Sequence, residues 1–264
     1  MQVADEIVAK GVVERSFAFE ADGEQVGGIL WSPEGDDGAR PLVLLGHGGT
    51  QHKRVANVLG LARRFVRHLG YRACAIDAPG HGDRVTDEAQ AAARRRDLER
   101  RVTERGGPAS APRPMPADAD AYAAAHARGA REWSALLDLL EADGLAEAGR
   151  VGYWGLSMGT MIGLPFVAAE PRVGCCVLGL AALSGWPNEQ ARADAARRLV
   201  VPVLFVLQWD DQLMTRQAGL DLFDALGSEQ KAMHVFPGGH VDTPLYERDA
   251  YDAFFQRHLG RVGQ

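Results

Sequence analysis

Apolar positions change period along the chain. From Val12 to Glu20 they alternate with polar ones, as on a half-buried strand; Ala21-Asp22-Gly23-Glu24 reads as a turn, and Val26 to Trp31 as the returning strand of an antiparallel hairpin. Leu42-Val43-Leu44-Leu45, bounded by Pro41 and Gly46, is continuously apolar, which marks a strand covered on both faces. Beyond it, helical and strand patterns take turns. Helical spacing covers Val55 to Leu69, with Gly70 as a stop, and then Arg131 to Glu141, Met158 to Ala169, Thr215 to Leu226 and Tyr246 to Leu259. Strands are predicted over Arg72 to Asp77, Arg150 to Trp154, Gly174 to Leu183, Val201 to Leu207 and Lys231 to Phe236. Short apolar strands alternating with helices predict an α/β protein: one domain over 1–264, with about eight strands in a mainly parallel sheet and helices on both faces.

One stretch breaks the alternation. Residues 85–130 contain no core strand pattern. Thr86 to Arg105 mixes Arg with acidic residues, as solvated helices do, and Pro108, Pro112, Pro114 and Pro116 exclude regular structure after it. The stretch leaves the chain directly after a strand end, so it is read as a helical lid insertion. A contact with a second copy of the chain, making a homodimer, is the open alternative.

Composition removes whole classes of function. The 264 residues are 46% hydrophobic and 24% charged with a net charge of −6, which offers no basic surface for nucleic acid or an anionic membrane. The N-terminal residues lack an apolar run of signal-peptide length, and no stretch approaches about 18 apolar residues. Cys74, Cys175 and Cys176 all fall in predicted buried strands, an arrangement expected of reduced thiols in a cytoplasmic protein.

Candidate chemistry starts at Gly155-Leu156-Ser157-Met158-Gly159, which follows a predicted strand and opens a helix. A Ser at such a turn is held in a strained conformation with its hydroxyl exposed. The pentapeptide alone is weak evidence; the strand before it and the helix after it supply the context. The hydroxyl needs a base. Among the eight His, His240 is the best placed, in a Gly-rich loop after the last strand, Phe236-Pro237-Gly238-Gly239-His240. His68, His126 and His258 read as surface residues, His234 as a packed one, and His47 as a loop hydrogen-bonder. For the acid, Asp210 and Asp211 both end a strand and either can serve; Asp211 is favoured, and Asp242 is a weaker rival. After the strand Leu42 to Leu45 comes Gly46-His47-Gly48-Gly49-Thr50, whose glycines let amides turn inward; Gly49 N–H and Met158 N–H are the expected oxyanion donors, with Thr50 as a substitute for Gly49. Asp77-Ala78-Pro79-Gly80-His81-Gly82-Asp83-Arg84 ends another strand. Its Asp77 is expected to bond loop amides, and His81 and Arg84 are candidate substrate contacts, as are Thr50 and Trp209. Trp31, Trp154, Trp186 and Trp209 are candidates for an aromatic pocket.

The order Ser157, Asp211, His240 is that of the α/β-hydrolase triad. With His47-Gly48-Gly49, the Asp77 to Gly82 segment, Gln208-Trp209-Asp210-Asp211 and Gly239-His240, the chain resembles the α/β-hydrolase superfamily from about residue 12 to 260. Within it, the sequence is most similar to dienelactone-hydrolase-like and acyl-peptidase-like serine esterases. The resemblance implies an acyl-enzyme on Ser157 formed from a small-molecule carboxylic ester, with no metal or organic cofactor. The alternatives are a thioesterase or acyltransferase acting on a CoA or carrier-bound substrate and, of another class, a non-catalytic ligand-binding member of the fold, against which the complete triad argues.

Overall fold

The computed structural model describes residues 2–36, 38–103, 109–110, 118–185 and 188–262. Nine strands form one sheet: β1 (Gln2–Ala9), β2 (Val12–Ala21), β3 (Glu24–Pro33), β4 (Leu42–Gly46), β5 (Arg72–Ile76), β6 (Val151–Gly155), β7 (Val173–Gly179), β8 (Val203–Gln208) and β9 (Lys231–Phe236), in the spatial order β1-β2-β3-β5-β4-β6-β7-β8-β9. Strands β1, β2 and β3 pair antiparallel, and β3 meets β5 antiparallel; from β5 to β9 every pairing is parallel. The continuously apolar run at Leu42 is the middle strand of the nine, and all five residues of β4 are buried.

Alternation along the strands divides the core in two. Leu42 and Leu44, Cys74 and Ile76, and Val203, Phe205 and Leu207 point to one face, where they meet Trp133, Leu136 and Leu140 of α3 (Ala119–Ala142), Met161, Ile162 and Phe166 of α4 (Met158–Ala169), and Leu222 of α6 (Arg216–Ala225). Val43 and Leu45, Ala73 and Ala75, and Leu204 and Val206 point to the other. There they pack on Val58 and Leu61 of α1 (Ala56–Arg64) and on Tyr251, Phe255 and Leu259 of α7 (Glu247–Leu259). The strand period decides which half of the core each strand residue enters, and these helices cover the two halves with their buried side chains. Helix α1 runs on into a π-helical turn, Phe65–Leu69, that stops at Gly70 with φ 69°.

Three elements depart from the sequence expectation. The ninth strand is β1, beyond the eight or so expected; all eight of its residues are exposed, so no buried face imprints an alternation on it. A further helix, α5 (Glu189–Arg198), lies where the pattern gave no signal, because the residues it buries are Arg192 and the small Ala193, Ala195 and Ala196, with no large apolar side chain. Helix α3 begins at Ala119 and not near Arg131, so its Ala-rich first half belongs to the 85–130 stretch. A 3₁₀ turn, Gly82–Arg84, immediately precedes that stretch, which also holds α2 (Glu88–Thr103), a helix with no buried residue. The four prolines at 108, 112, 114 and 116 lie outside the described residues. No helix among the described residues is long and apolar enough to cross a membrane.

Candidate active site

Strand β6 delivers the chain to Ser157 at its carboxyl end. The residue sits at φ 59°, ψ −119°, a conformation that costs a side-chain-bearing residue on the order of 1–3 kcal/mol and persists only where the surroundings enforce it. Here Ser157 N–H donates to Gly179 O at 2.9 Å, and the Thr160 hydroxyl lies between Gly155 O and Gly179 O at 2.8 and 2.6 Å. The flanking glycines are required by contact. A Cβ on Gly159 would stand 2.5 Å from Gly46 O, and one on Gly155 would stand 2.7 Å from the Tyr153 ring. Tyr153 is buried beneath the turn and donates its hydroxyl hydrogen bond to Gly159 O at 2.7 Å.

His240 and Asp211 converge on that serine from the ends of β9 and β8. His240 Nε2 is 3.0 Å from Ser157 Oγ, and Nδ1 is 2.7 Å from Asp211 Oδ2. The other carboxylate oxygen of Asp211 accepts from Leu213 N–H at 2.7 Å and Met214 N–H at 3.2 Å. Asp211 and His240 are each 5% exposed, so both are withdrawn from water with all their polar atoms directed. Asp210 turns away; its side chain is 45% exposed and 3.8 Å from Arg216. Asp242 accepts from Gly239 N–H at 2.8 Å and so closes the histidine loop without meeting the ring.

Gly49 and Met158 border the cavity at Ser157, and among the described residues neither amide N–H has an acceptor. Met158 is the first residue of α4, where amides point out of the helix toward negative charge. The expected conformational role for the glycines is not what the loop shows: positive φ falls on Thr50, at 61°, and not on Gly48 or Gly49. The loop is held by other means. His47 Nε2 accepts from Ala78 N–H at 3.0 Å, which leaves Nδ1–H to donate to Gly48 O at 2.9 Å, and Gln51 Oε1 accepts from Gly48 N–H at 3.1 Å. Burial pushes His47 down to about 4, so it is a neutral strut.

The cavity has a volume of about 620 Å³. Part of its lining is apolar, with Leu61, Trp154, Leu156, Leu180 and Tyr251; α2 and α3 add Arg94, Leu98, Arg101, Tyr122 and His126. Among the expected substrate contacts, Thr50 lines this cavity. His81 stands beside it, tilted over His47 with ring centroids 5.4 Å apart, on the wall of an adjoining polar pocket of about 310 Å³. Arg84 is not at the site: it is 6% exposed and forked onto the buried Glu132 at 2.7 Å through both terminal nitrogens. Trp209 is not there either; it is 43% exposed, under the guanidinium of Arg216 at 3.6 Å. Trp31 is a core residue that donates to Glu14 at 2.8 Å, and Trp186 lies outside the described residues.

Two histidines differ from expectation. His126, read as surface, is on the cavity wall, where burial and then the charge of Arg192 push it down to about 4. His234, read as packed, is 39% exposed and 2.7 Å from Glu247. Asp77 bonds the amides of Lys53 and Asp83, as expected. Sequence reasoning passed over Lys53, whose buried ammonium also reaches Asp77 and Asp83; burial raises the Asp77 carboxyl, but the Lys53 bonds outweigh it and hold it below its ordinary value. It also passed over Gln212, which touches the histidine loop. Among the described residues, no group of His, Cys, Asp and Glu is arranged to hold a metal ion.

No protein-family model matches the chain, and neither does any curated protein. Solved structures do. A cold-adapted esterase from an Arctic intertidal metagenomic library, in a PEG-bound complex, is 34% identical over 98% of this chain and 100% of its own, with a TM-score of 0.78. An acetyl xylan esterase from Paenibacillus sp. R4 shares the fold at 17% identity, covering 98% of this chain and 88% of its own, with a TM-score of 0.71. The acylaminoacyl peptidase of Pyrococcus horikoshii does so at 15% identity and a TM-score of 0.65; 97% of this chain corresponds to 43% of that one.

Proposed function

The chain belongs to the α/β-hydrolase superfamily, among its carboxylic-ester hydrolases, and from that premise we propose that it works through an acyl-enzyme on Ser157. The observation that carries the reading is the unbroken line Ser157 Oγ, His240, Asp211, at 3.0 and 2.7 Å, opening on a cavity. Ser157 attacks the ester carbonyl as His240 Nε2 takes its proton. Asp211 fixes the proton on Nδ1 and stabilises the imidazolium that results. Charge developing on the carbonyl oxygen is met by the free amides of Gly49 and Met158; one such donor is worth roughly 2.7–4 kcal/mol in the transition state. The protonated His240 passes its proton to the leaving alcohol, then activates a water that releases the acid and restores the serine.

Residues 85–130 act as a cap in this reading. The support is that α2 and the first half of α3 build part of the cavity wall through Arg94, Leu98, Tyr122 and His126. The apolar part of the lining suits an acyl chain, and the substrate is a small-molecule ester.

The test is a fluorophosphonate probe mapped by mass spectrometry, run beside Ser157→Ala on p-nitrophenyl esters and the matching thioesters. Labelling confined to Ser157, with turnover abolished in a folded Ser157→Ala protein, is the expected result. Ester hydrolysis retained by Ser157→Ala would overturn the nucleophile assignment, and faster turnover of thioesters would move the substrate class.

A further inference from the structure

A chain of hydrogen bonds through Gln212 joins α2 to the loops of Asp211 and His240, and a residue past α2 adds another. Gln212 Nε2 donates to Val102 O, in the last turn of α2, at 3.0 Å. Through its other end, Gln212 Oε1 accepts from the backbone N–H of His240 at 2.8 Å. Past the helix, Ala109 N–H donates to Asp211 O at 2.8 Å. Beside these bonds, Leu98 and Val102 of α2 pack against Leu213, Met214, Ala182 and Ala218. The underside of α2 therefore rests on residues 211–214, the segment that presents the carboxylate.

Gln212 fits this place closely. Its amide crosses the histidine loop where Gly239 has no side chain, and a Cβ there would stand 2.4 Å from Gln212 Nε2. A primary amide offers a donor on one side and an acceptor on the other, so a single side chain can hold a carbonyl of one element and an N–H of another. Both partners are main-chain atoms that no other described side chain serves.

We infer that Gln212 is a positioning residue: it fixes the backbone of His240 and makes the alignment of His240 with Ser157 depend on α2 being docked. The inference rests on the proposed triad. An error of about 1 Å in the placement of a reacting group costs on the order of 100-fold in rate, and that scale sets the effect. With α2 undocked, Val102 O no longer fixes the Gln212 rotamer, the His240 N–H loses its fixed acceptor, and Nε2 drifts from Ser157 Oγ. Substrate binding on the apolar wall is untouched by this drift, so kcat falls and KM does not.

The experiment measures kcat and KM on p-nitrophenyl acetate, an ester too small to need the whole of the cavity lining. Gln212→Ala is expected to lower kcat about 10- to 100-fold with KM little changed. Gln212→Glu keeps an acceptor for His240 N–H but meets Val102 O without a proton, and it recovers part of that loss. Val102→Asp undocks α2 by setting a charge against Leu213 and Met214, and it lowers kcat in its own right. The double variant Gln212→Ala/Val102→Asp is no slower than the worse single variant, because both changes break one linkage. The inference is overturned if Gln212→Ala stays within about twofold of the parent kcat. It is also overturned if Gln212→Glu is as slow as Gln212→Ala, if Val102→Asp is inert, or if the two effects multiply. Should Gln212→Ala fail to fold, the near-isosteric Gln212→Glu and the Val102→Asp comparison still decide. Ser157→Ala separates the two levels of the argument: an active Ser157→Ala protein removes the triad, whereas an inactive one beside a fully active Gln212→Ala protein removes only the role of Gln212.

Discussion

Asp211→Asn tests how charge and proton are arranged behind the serine, and its size follows from the contacts. Both carboxylate oxygens of Asp211 are in use, Oδ1 by the amides of Leu213 and Met214 and Oδ2 by His240 Nδ1 at 2.7 Å. An asparagine has one acceptor oxygen where the carboxylate has two. If that oxygen stays with Leu213 and Met214, the NH₂ group points at His240 Nδ1. The ring must then carry its proton on Nε2, the atom that receives one from Ser157 in the proposed mechanism. If the amide is turned over, its NH₂ confronts two backbone N–H groups in a buried site, and each donor left without an acceptor costs about 1–3 kcal/mol. The first orientation is thus preferred, the protein stays folded, and the histidine is held in the wrong tautomer. The same exchange in a serine-protease triad lowers kcat about 10⁴-fold, roughly 5 kcal/mol at about 1.36 kcal/mol per decade, and a loss of that order is expected here. The assay is kcat on p-nitrophenyl acetate for Asp211→Asn and Asp210→Asn, with near-UV circular dichroism to show that each is folded. Asp210 is 45% exposed and faces Arg216, so its change should leave kcat nearly unaltered. A loss of less than tenfold for a folded Asp211→Asn protein, or a larger loss at Asp210, would refute the reasoning.

Gly159→Ala should lower the urea midpoint by the equivalent of about 1–3 kcal/mol or more, because the new Cβ would lie 2.5 Å from Gly46 O, a backbone atom that cannot swing away; an unchanged midpoint would show that the turn has room. Stability should fall as pH drops from about 6.5 to about 4: burial holds the folded His47 at about 4, so the unfolded chain takes up the proton first, and His47 alone accounts for about 3 kcal/mol over that window, with His126 adding in the same direction. Urea titrations at several pH values check this, and a profile flat down to pH 4 would contradict it. Removing the acid of the Arg84–Glu132 pair by Glu132→Ala should destabilise the fold by about 3–5 kcal/mol, since a guanidinium 6% exposed is left beside a hole; a loss under 1 kcal/mol in thermal or chemical melts would mean that Glu24 alone satisfies it. Cys74, Cys175 and Cys176 are buried and their thiols are pushed up by that burial, so a thiol reagent should modify none of them in the native protein and all three in denaturant.

What could be read in the sequence follows the range over which each contact acts. The turn at Ser157 is legible because strand, glycines and helix lie within a few residues, and steric demands on Gly155 and Gly159 write themselves into the local text. His240 and Asp211 are legible at one remove: parallel strands put their carboxyl ends on one edge, so a His and an Asp placed just after two strands are brought together by topology before any contact is known. Strand β1 has no buried face and α5 buries three alanines and Arg192, so neither produces the large apolar period that pattern reading detects. Arg84 misled because its neighbours in sequence belong to the pocket rim, while the partner that claims it, Glu132, is 48 positions away on α3.

The insertion is the harder case, and for a definite reason. Gln212 reaches Val102 O across 110 positions and His240 N–H across 28, and both partners are main-chain atoms, which every residue carries alike. Such bonds leave no trace in residue type at the far end. The same holds for His126, whose Ala-rich surroundings on α3 suit open solvent and a cavity wall equally well. The line Ser157, His240, Asp211 is therefore drawn by strands and local turns, whereas part of the cavity wall is drawn by where α2 and α3 fold back. Substitutions that change substrate choice without changing the chemistry should accordingly fall on Tyr122 and His126. Those that change the chemistry without touching the substrate should fall on Gln212, which does not line the cavity.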